Sequence, residues 1–414
     1  MQKVVIIGGG FGGLYAAKAL RAAPVEVTLI DRRNHHVFQP LLYQVATAGL
    51  SAIDIGEPIR RILRKQANAS VHLAEVVSVD LTGSRVELAG GERVDYDYLI
   101  VATGARDSYF GHDDWEPYAP GLKSIEDALE IRRRVLSAFE QAEVTRDRDV
   151  QRSLLTFAVI GGGPTGAELA GALAELARHT LTDEFRRIDA GEARIVLIEA
   201  GERILSGYPP RLSARAHRQL ERLGVEIRTG APVTGVDADG VNLGEERIHC
   251  RTVLWAAGVA ASSLGAFLGT DLDRAGRVMV EPDLTVPGHR EVFVVGDLAH
   301  VVQDGRQLPG IAPAAIQMGR HAAESIIRSL QGEPTHSFRF VDRGTMATLG
   351  RSSAIALIKG IRLWGWPAWL AWLFIHILFL IGFRNRAVVL FEWTRSYLTY
   401  SRSARLILYP DESG

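Results

Sequence analysis

The apolar positions of this chain come in short unbroken runs, each closed by glycine or a charged residue. In "KVVIIGGGFGGLYAAKALRAAPVEVTLIDRR" the run Val4 to Ile7 has no polar residue, as expected of a parallel strand buried on both faces. A glycine turn follows. Ala16, Ala17, Ala19 and Leu20 then carry a helix with a small-residue face, and Val25 to Ile30 form the next strand, ended by Asp31. The pattern recurs in "LTFAVIGGGPTGAELAGALAELA", Leu155 to Ala177, and "RIVLIEAGER" adds a strand ended by Glu199. A hairpin and a strand ending at Thr103-Gly104 are expected from "RVELAGGERVDYDYLIVATGA", with a second-half counterpart in "IHCRTVLWAAGVAA". "HREVFVVGDLAHV" is a further buried strand, ending at Gly296-Asp297, and "APAAIQMGRHAAESIIRSL" is a helix. Phe338 to Arg351 has the pattern of a short strand region.

Each repeat carries G-x-G-x-x-G: Gly8, Gly10 and Gly13, then Gly161, Gly163 and Gly166. The motif alone is weak. Here each copy follows an apolar strand, opens a helix, and is answered by an acid at the end of the next strand, which makes it a dinucleotide-binding signal. The first glycine permits the tight turn, the second lets the backbone approach a pyrophosphate, and the third lets helix and strand pack closely. Free N–H groups and the helix dipole favour the phosphate charge. Asp31 and Glu199 are placed to accept bonds from ribose hydroxyls. Glu199 would repel a 2′-phosphate, so NADH is expected rather than NADPH; the alternative is that Glu199 points to solvent. Two such sites imply one flavin and one nicotinamide. Asp297, at the end of its strand, can place a carboxylate against a ribityl chain; its alternative use is to cap the following helix.

The remaining feature is "WGWPAWLAWLFIHILFLIGF", Trp364 to Phe383, which has no Asp, Glu, Lys or Arg. Its length suits a membrane span. Trp364, Trp366, Trp369 and Trp372, four of the seven tryptophans, favour an interface instead. Beyond it, Leu390, Trp393, Tyr397 and Tyr400 fall on one helical face, opposite Glu392, Arg395, Thr399 and Arg402, the pattern of an amphipathic helix. Docking on a bilayer is favoured over spanning it or packing in a core or dimer interface. His376 is expected to be packed rather than a proton donor.

Composition modifies this picture in few places. The 414 residues are 47% hydrophobic and 23% charged, enough for two or three domains, and the net charge of −1 does not suit nucleic acid. The charge is uneven: residues 359–408 hold seven cations against Glu392, a net +6, which leaves −7 on the remainder. A basic apolar tail suits anionic lipid headgroups. Cys250 is the single cysteine, so no disulfide, CxxC pair or thiolate metal site is expected. The N-terminus does not read as a signal peptide, and a cytoplasmic or cytoplasmic-face location is expected.

Taken together, "VVIIGGGFGGLYAA", "HHVFQPLLYQVATAGL", "VATGA", "VIGGGPTGAELAGALAELA", "VLWAAGV", "VFVVGDLAH", "LPGIAPAAIQMGRHAA" and the tail from "GTMATLG" to "GFRNR" resemble the type II NADH dehydrogenases, single-subunit NADH:quinone oxidoreductases that pump no protons. The resemblance covers nearly the whole chain. It implies an α/β protein of two Rossmann-like domains, for FAD and NADH, with a C-terminal helical membrane-docking segment. The expected divisions are 1–110 and 263–335 for FAD, 111–153 as linker and helix, 154–262 for NADH, and 336–414 for the membrane. It assigns Gly8, Gly10, Phe11, Gly12, Gly13, Asp31, Arg32, Thr103, Gly104, Gly296, Asp297 and Ala314 to FAD. It assigns Gly161, Gly163, Pro164, Thr165, Gly166, Glu199 and Gly258 to NADH. Glu168 would support the nicotinamide; the alternative is that, at a helix start, its charge is simply stabilised by the dipole. Gln317 and Gly49 would meet the quinone, with Gln317 alternatively satisfying a neighbouring backbone group. Pro313 stands where many members carry a glutamine, which removes one donor beside the quinone. The implied partners are a membrane quinone, a lipid surface and a second copy in a homodimer, with no metal and no nucleic acid. The alternatives are a related FAD-dependent NAD(P)H oxidase or reductase with another acceptor, and an NADH-responsive flavoprotein that acts by binding a partner. Disulfide and sulfide:quinone reductases need paired cysteines that this chain lacks.

Overall fold

The computed structural model describes residues 1–380, 386–391, 393, 394 and 404–407. They form two compact units, one of residues 1–37, 56–106 and 259–342, the other of 38–55, 107–258 and 343–414. Residues 38–55 thus join the second unit, although the chain on either side of them lies in the first.

The first unit is organised by a six-stranded sheet in the order Thr285–Val286, His289–Val294, Tyr98–Val101, Gln2–Ile7, Val25–Asp31, Ala69–Leu73. All neighbours are parallel except the first pair. Val4 faces Val27 on one side and Tyr98 on the other. Its burial on both faces explains the unbroken apolar run. The helices Phe11–Ala19 and Ala312–Leu330 cross closely, because a Cβ on Gly319 would lie 2.1 Å from the Gly12 oxygen. Pro313 takes one of the first positions of the second helix, where a missing N–H costs no intrahelical bond. The expected hairpin is Arg85–Leu88 paired with Arg93–Asp95.

In the second unit the repeat builds a fully parallel sheet: Val225–Arg228, Arg194–Ile198, Thr156–Ile160, Thr252–Trp255. Its core joins Ala158, Val196 and Val253 to Tyr109, Trp115 and Trp255.

The C-terminal part departs from expectation. Of Phe338 to Arg351 only Thr345–Thr348 is a strand, and it starts an antiparallel sheet that continues through Ala354–Ile358 and Ile361–Gly365. The twenty-residue apolar run is therefore not one helix. Trp364 and Gly365 end a strand, and the helix is Trp366–Phe379. Gly365, at φ 68°, makes the turn between them, and Pro367 occupies the first helical turn, where it is tolerated. No helix among the described residues is long and apolar enough to cross a membrane. One face of the helix packs inward: Ala368 joins a cluster with Ala354 and Ala356, and Trp372 is buried beside His376. The opposite face leaves Trp366 (58%), Leu370 (40%), Phe374 (63%) and Leu378 (50%) exposed at i, i+4 spacing. Farther on, 386–391 and Trp393-Thr394 are helical; Tyr397, Tyr400, Glu392, Arg395, Thr399 and Arg402 lie outside the described residues.

Candidate active site

The two glycine loops have matching geometry. Gly8 (φ 102°) and Gly161 (φ 108°) occupy left-handed backbone that side chains disfavour. Their N–H groups donate to the carbonyls of Ile30, at 2.8 Å, and Ile198, at 2.7 Å. A Cβ on Gly13 would lie 1.9 Å from the Gly8 oxygen, and one on Gly166 would lie 1.8 Å from the Gly161 oxygen. These third glycines are required by packing. The second glycines differ: a Cβ at Gly10 or Gly163 would meet no protein atom within 4 Å. They line open space at a helix N-terminus, as a pyrophosphate cradle requires.

The acids at the strand ends complete each cradle. Asp31 Oδ2 accepts the Gly9 N–H at 2.6 Å, and Oδ1 accepts that of Arg33 at 2.7 Å. Glu199 Oε2 accepts the Gly162 N–H at 2.7 Å, and Oε1 accepts that of Gly201 at 2.7 Å. Each carboxylate is aimed by the loop itself, and an ionised carboxylate has lone pairs to spare for ribose hydroxyls. Arg32 is exposed and reaches Glu75 at 3.8 Å.

Other predicted residues of the first unit sit on the same sheet end. Thr103 and Gly104 (φ 66°) follow Tyr98–Val101, and the buried Thr103 hydroxyl has no protein partner among the described residues. Asp297 lies in the single turn Gly296–Leu298, which has no side-chain cap. Its carboxylate faces the Gly310 backbone, where a Cβ would meet it at 3.0 Å. Phe11 is buried edge-on against His36, and Ala314 is buried in the helix Ala312–Leu330. His36 had no sequence signal. It hydrogen-bonds the Gly9 oxygen through Nδ1 at 2.9 Å, and burial pushes its pKa down to about 4. Gln317 ties down a neighbouring stretch of backbone: its amide donates to the Val341 oxygen at 3.1 Å and accepts the Val341 N–H at 2.9 Å.

In the second unit, Pro164 and Thr165 are exposed at the start of the helix Pro164–Glu175. Gly258 (φ 123°) lies against the Phe110 ring, 2.5 Å from where its Cβ would be. Gly49 donates its N–H to the Gln44 oxygen at 2.7 Å, beside Ala48 in left-handed backbone at φ 59°.

Glu168 corrects the dipole expectation. It sits in the second turn of its helix, and the first turn has no acidic residue. Oε1 accepts from the backbone N–H of Thr348 at 3.1 Å and from the Thr348 hydroxyl at 3.4 Å. Burial outweighs these bonds and pushes the carboxyl up to about 8. Tyr43 and Thr348, which sequence reasoning missed, meet at 2.9 Å between hydroxyls. Cys250 is buried, and burial pushes its thiol up to about 12, far from a thiolate.

The doubled cradle has clear relatives. The family model for pyridine nucleotide-disulphide oxidoreductases matches residues 2–319. The type II NADH:quinone oxidoreductase NdhA of Mycobacterium tuberculosis is 47% identical over 98% of this chain and 89% of its own length. Ndh of the same organism is 48% identical over 97% of this chain and 89% of its own. Among solved structures, NDH2 from Plasmodium falciparum in complex with NADH is similar at a TM-score of 0.89, with 20% identity, 99% of this chain and 100% of that one covered. The sulfide:quinone oxidoreductase of Aquifex aeolicus shares the fold at a TM-score of 0.76 and 19% identity, covering 99% of this chain and 96% of that one. With two matched cradles, a single buried cysteine and this degree of identity, the chain belongs to the pyridine nucleotide-disulphide oxidoreductase family and, within it, to the type II NADH:quinone oxidoreductases.

Proposed function

We propose that this chain oxidises NADH and passes two electrons by way of FAD to a membrane quinone, without pumping protons. The observation that carries the reading is the repeated cradle, in which Asp31 and Glu199 are each held at 2.6–2.7 Å by the N–H of the loop's middle glycine. FAD, when bound, supplies a hydride acceptor that can pass electrons to a quinone.

The protein's own contribution is binding, orientation and proton placement. Gly8, Gly10, Gly12, Gly13, Asp31 and Arg32 hold the adenosine and pyrophosphate end of FAD; Phe11, Thr103, Gly104, Gly296, Asp297 and Ala314 line the rest. The unpartnered Thr103 hydroxyl fits a polar cofactor. Gly161, Gly163, Pro164, Thr165, Gly166, Glu199 and Gly258 hold NADH, and the Glu199 charge disfavours a 2′-phosphate. Glu168, neutral below pH about 8, offers the nicotinamide a carboxylic acid rather than a charge. For the quinone, Gln317 keeps one N–H and one lone pair beyond those used by Val341. Gly49, whose Cβ would lie 3.3 Å from the Gln44 oxygen, keeps the loop close to Gln44 beside the proposed quinone position.

The reading includes a peripheral position on the cytoplasmic face, where NADH is available. The exposed stripe Trp366, Leu370, Phe374 and Leu378 supports it, flanked by exposed Lys359 and Arg362. It also includes a homodimer, which sedimentation of the purified protein tests. The central experiment is stopped-flow reduction of the FAD-loaded chain by NADH, followed by a panel of quinones and by oxygen. Rapid flavin bleaching and rapid reoxidation by quinone are expected. Reduction without reoxidation by any quinone overturns the reading.

A further inference from the structure

A chain of side-chain hydrogen bonds runs from the C-terminal segment to Glu168, entirely within the second unit. Trp393 Nε1 donates to Gln44 Oε1 at 2.7 Å, and Gln44 Nε2 donates to the Tyr43 hydroxyl at 2.9 Å. The Tyr43 hydroxyl meets Thr348 Oγ1 at 2.9 Å, and Thr348 Oγ1 reaches Glu168 Oε1 at 3.4 Å. An indole N–H can only donate. Its bond therefore decides which way the Gln44 amide lies, so that the amide offers Tyr43 its N–H. Geometry admits either hydroxyl as donor between Tyr43 and Thr348; with an amide N–H facing it, Tyr43 finds its acceptor in Thr348. Thr348, in turn, gives its proton to Glu168. Every proton along the chain points toward the carboxyl group.

We propose that Trp393 and Gln44 are positioning residues for the NADH site, which set the direction of this hydrogen-bond chain so that Thr348 donates to Glu168. The segment that carries the exposed apolar residues Leu390 and Phe391 thereby holds a polar handle on the Glu168 carboxyl. Trp393 is itself fixed by the Trp372 ring, 5.1 Å away, which stacks on His376 at 4.2 Å.

Among the described residues few charges compete for control of Glu168. The Leu42–Ala46 helix presents Tyr43, and the strand Thr345–Thr348 has no charged side chain, its polar ones being the hydroxyls of Thr345 and Thr348. Tyr208, ahead of the helix Pro210–Arg222, is bonded to Thr345 Oγ1 at 3.1 Å. From that helix Arg215 lies over the Trp364 ring, 3.9 Å from its centroid. Glu175, at the end of Glu168's own helix, accepts the backbone N–H of Arg351. Arg194, Glu226 and Arg228, on the neighbouring strands, pair among themselves. Among the described residues the donors on Oε1 are thus the backbone and hydroxyl of Thr348, and the hydroxyl is the one whose orientation can change.

The inference rests on the proposed place of Glu168 beside NADH, and the test separates the two. The FAD-loaded full chain is titrated by infrared spectroscopy, and the protonated carboxyl band of Glu168 is assigned by its loss in Glu168→Gln. Trp393→Phe keeps the ring against Trp372 and removes the N–H, which frees Gln44 to rotate. Gln44→Met removes the amide. Loss of one donor to the ionised carboxylate raises its titration by about one pH unit in each variant. An unmoved titration in folded Trp393→Phe overturns the inference; should that variant not fold, Gln44→Met decides in the same way. Single-turnover reduction of FAD by NADH is followed over the same pH range. A moved carboxyl band with an unmoved rate profile leaves the hydrogen-bond chain standing and removes Glu168 from the NADH site.

Discussion

Glu199 Oε2 and the Gly162 N–H are joined at 2.7 Å, and the same bond is made in the other unit between Asp31 and Gly9 at 2.6 Å. A strand end is thereby tied to the glycine loop beside it, and the carboxylate is held in place by that loop. On the proposed reading, the consequence for Glu199 is specificity. Glu199→Gln keeps the shape, loses the charge, and weakens the charge-assisted bonds to ribose hydroxyls. A drop of about ten-fold in kcat/KM for NADH, with a rise for NADPH, is expected. Steady-state kinetics with both nucleotides check this, and an unchanged NADH to NADPH ratio counts against Glu199 as the discriminating residue.

The glycines of one loop separate folding from cofactor binding. Gly13→Ala would set a methyl group 1.9 Å from the Gly8 oxygen, so the loop cannot close without moving backbone. A large loss of apo-protein stability is expected, on the order of 3 kcal/mol. Gly10→Ala meets no protein atom within 4 Å, so the apo-protein should melt near the wild-type temperature. It should nonetheless bind FAD at least ten-fold more weakly, because the methyl occupies the pyrophosphate path. Calorimetry of the two apo-proteins and FAD titration distinguish these outcomes.

Glu168 makes stability depend on pH in a defined direction. Its folded pKa is raised from 4.5 to about 8, so the folded state holds this proton more tightly than the unfolded chain does. The stabilising contribution is complete below pH 4.5 and is lost as pH rises through about 8. Glu168→Gln imitates the protonated form at every pH. The melting temperature of wild type should therefore fall relative to Glu168→Gln across that window, and parallel curves would show that the carboxyl is not raised.

The apolar stripe on the Trp366–Phe379 helix gives a separable prediction. Trp366→Glu with Phe374→Glu, at positions 58% and 63% exposed, should leave folding and reduction of FAD by NADH intact. Binding to vesicles of mixed neutral and anionic lipid should weaken by ten-fold or more, since each ring contributes roughly 1.5–3 kcal/mol when buried. Vesicle flotation measures it; undiminished binding would place the membrane contact elsewhere.

The legible parts of this protein are local. An apolar strand, a glycine turn and a small-residue helix lie consecutively in the chain, and each constrains the backbone of the next. The loops at Gly8 and Gly161 and the strand-end acids could therefore be read from contiguous residues. The C-terminal region was legible in composition but not in shape. Its apolar run was clear, yet Trp364 and Gly365 belong to a strand because Ala354–Ile358 is available to pair with them. Pairing of that kind depends on a second segment, which hydrophobic pattern alone does not reveal.

By itself, then, the sequence determined the two dinucleotide cradles, the acid that completes each, and the presence of an apolar surface near the C-terminus. The environment of Glu168 was decided only by the tertiary structure. A helix position suggested a charge favoured by the dipole, whereas the fold buries the carboxyl against Thr348, 180 residues away, and raises its pKa to about 8. Trp393 and Gln44 are 349 residues apart, and no spacing rule links them. The energy of a buried polar group depends on what the folded chain brings to it, so its state follows from packing, while a glycine turn needs only its neighbours.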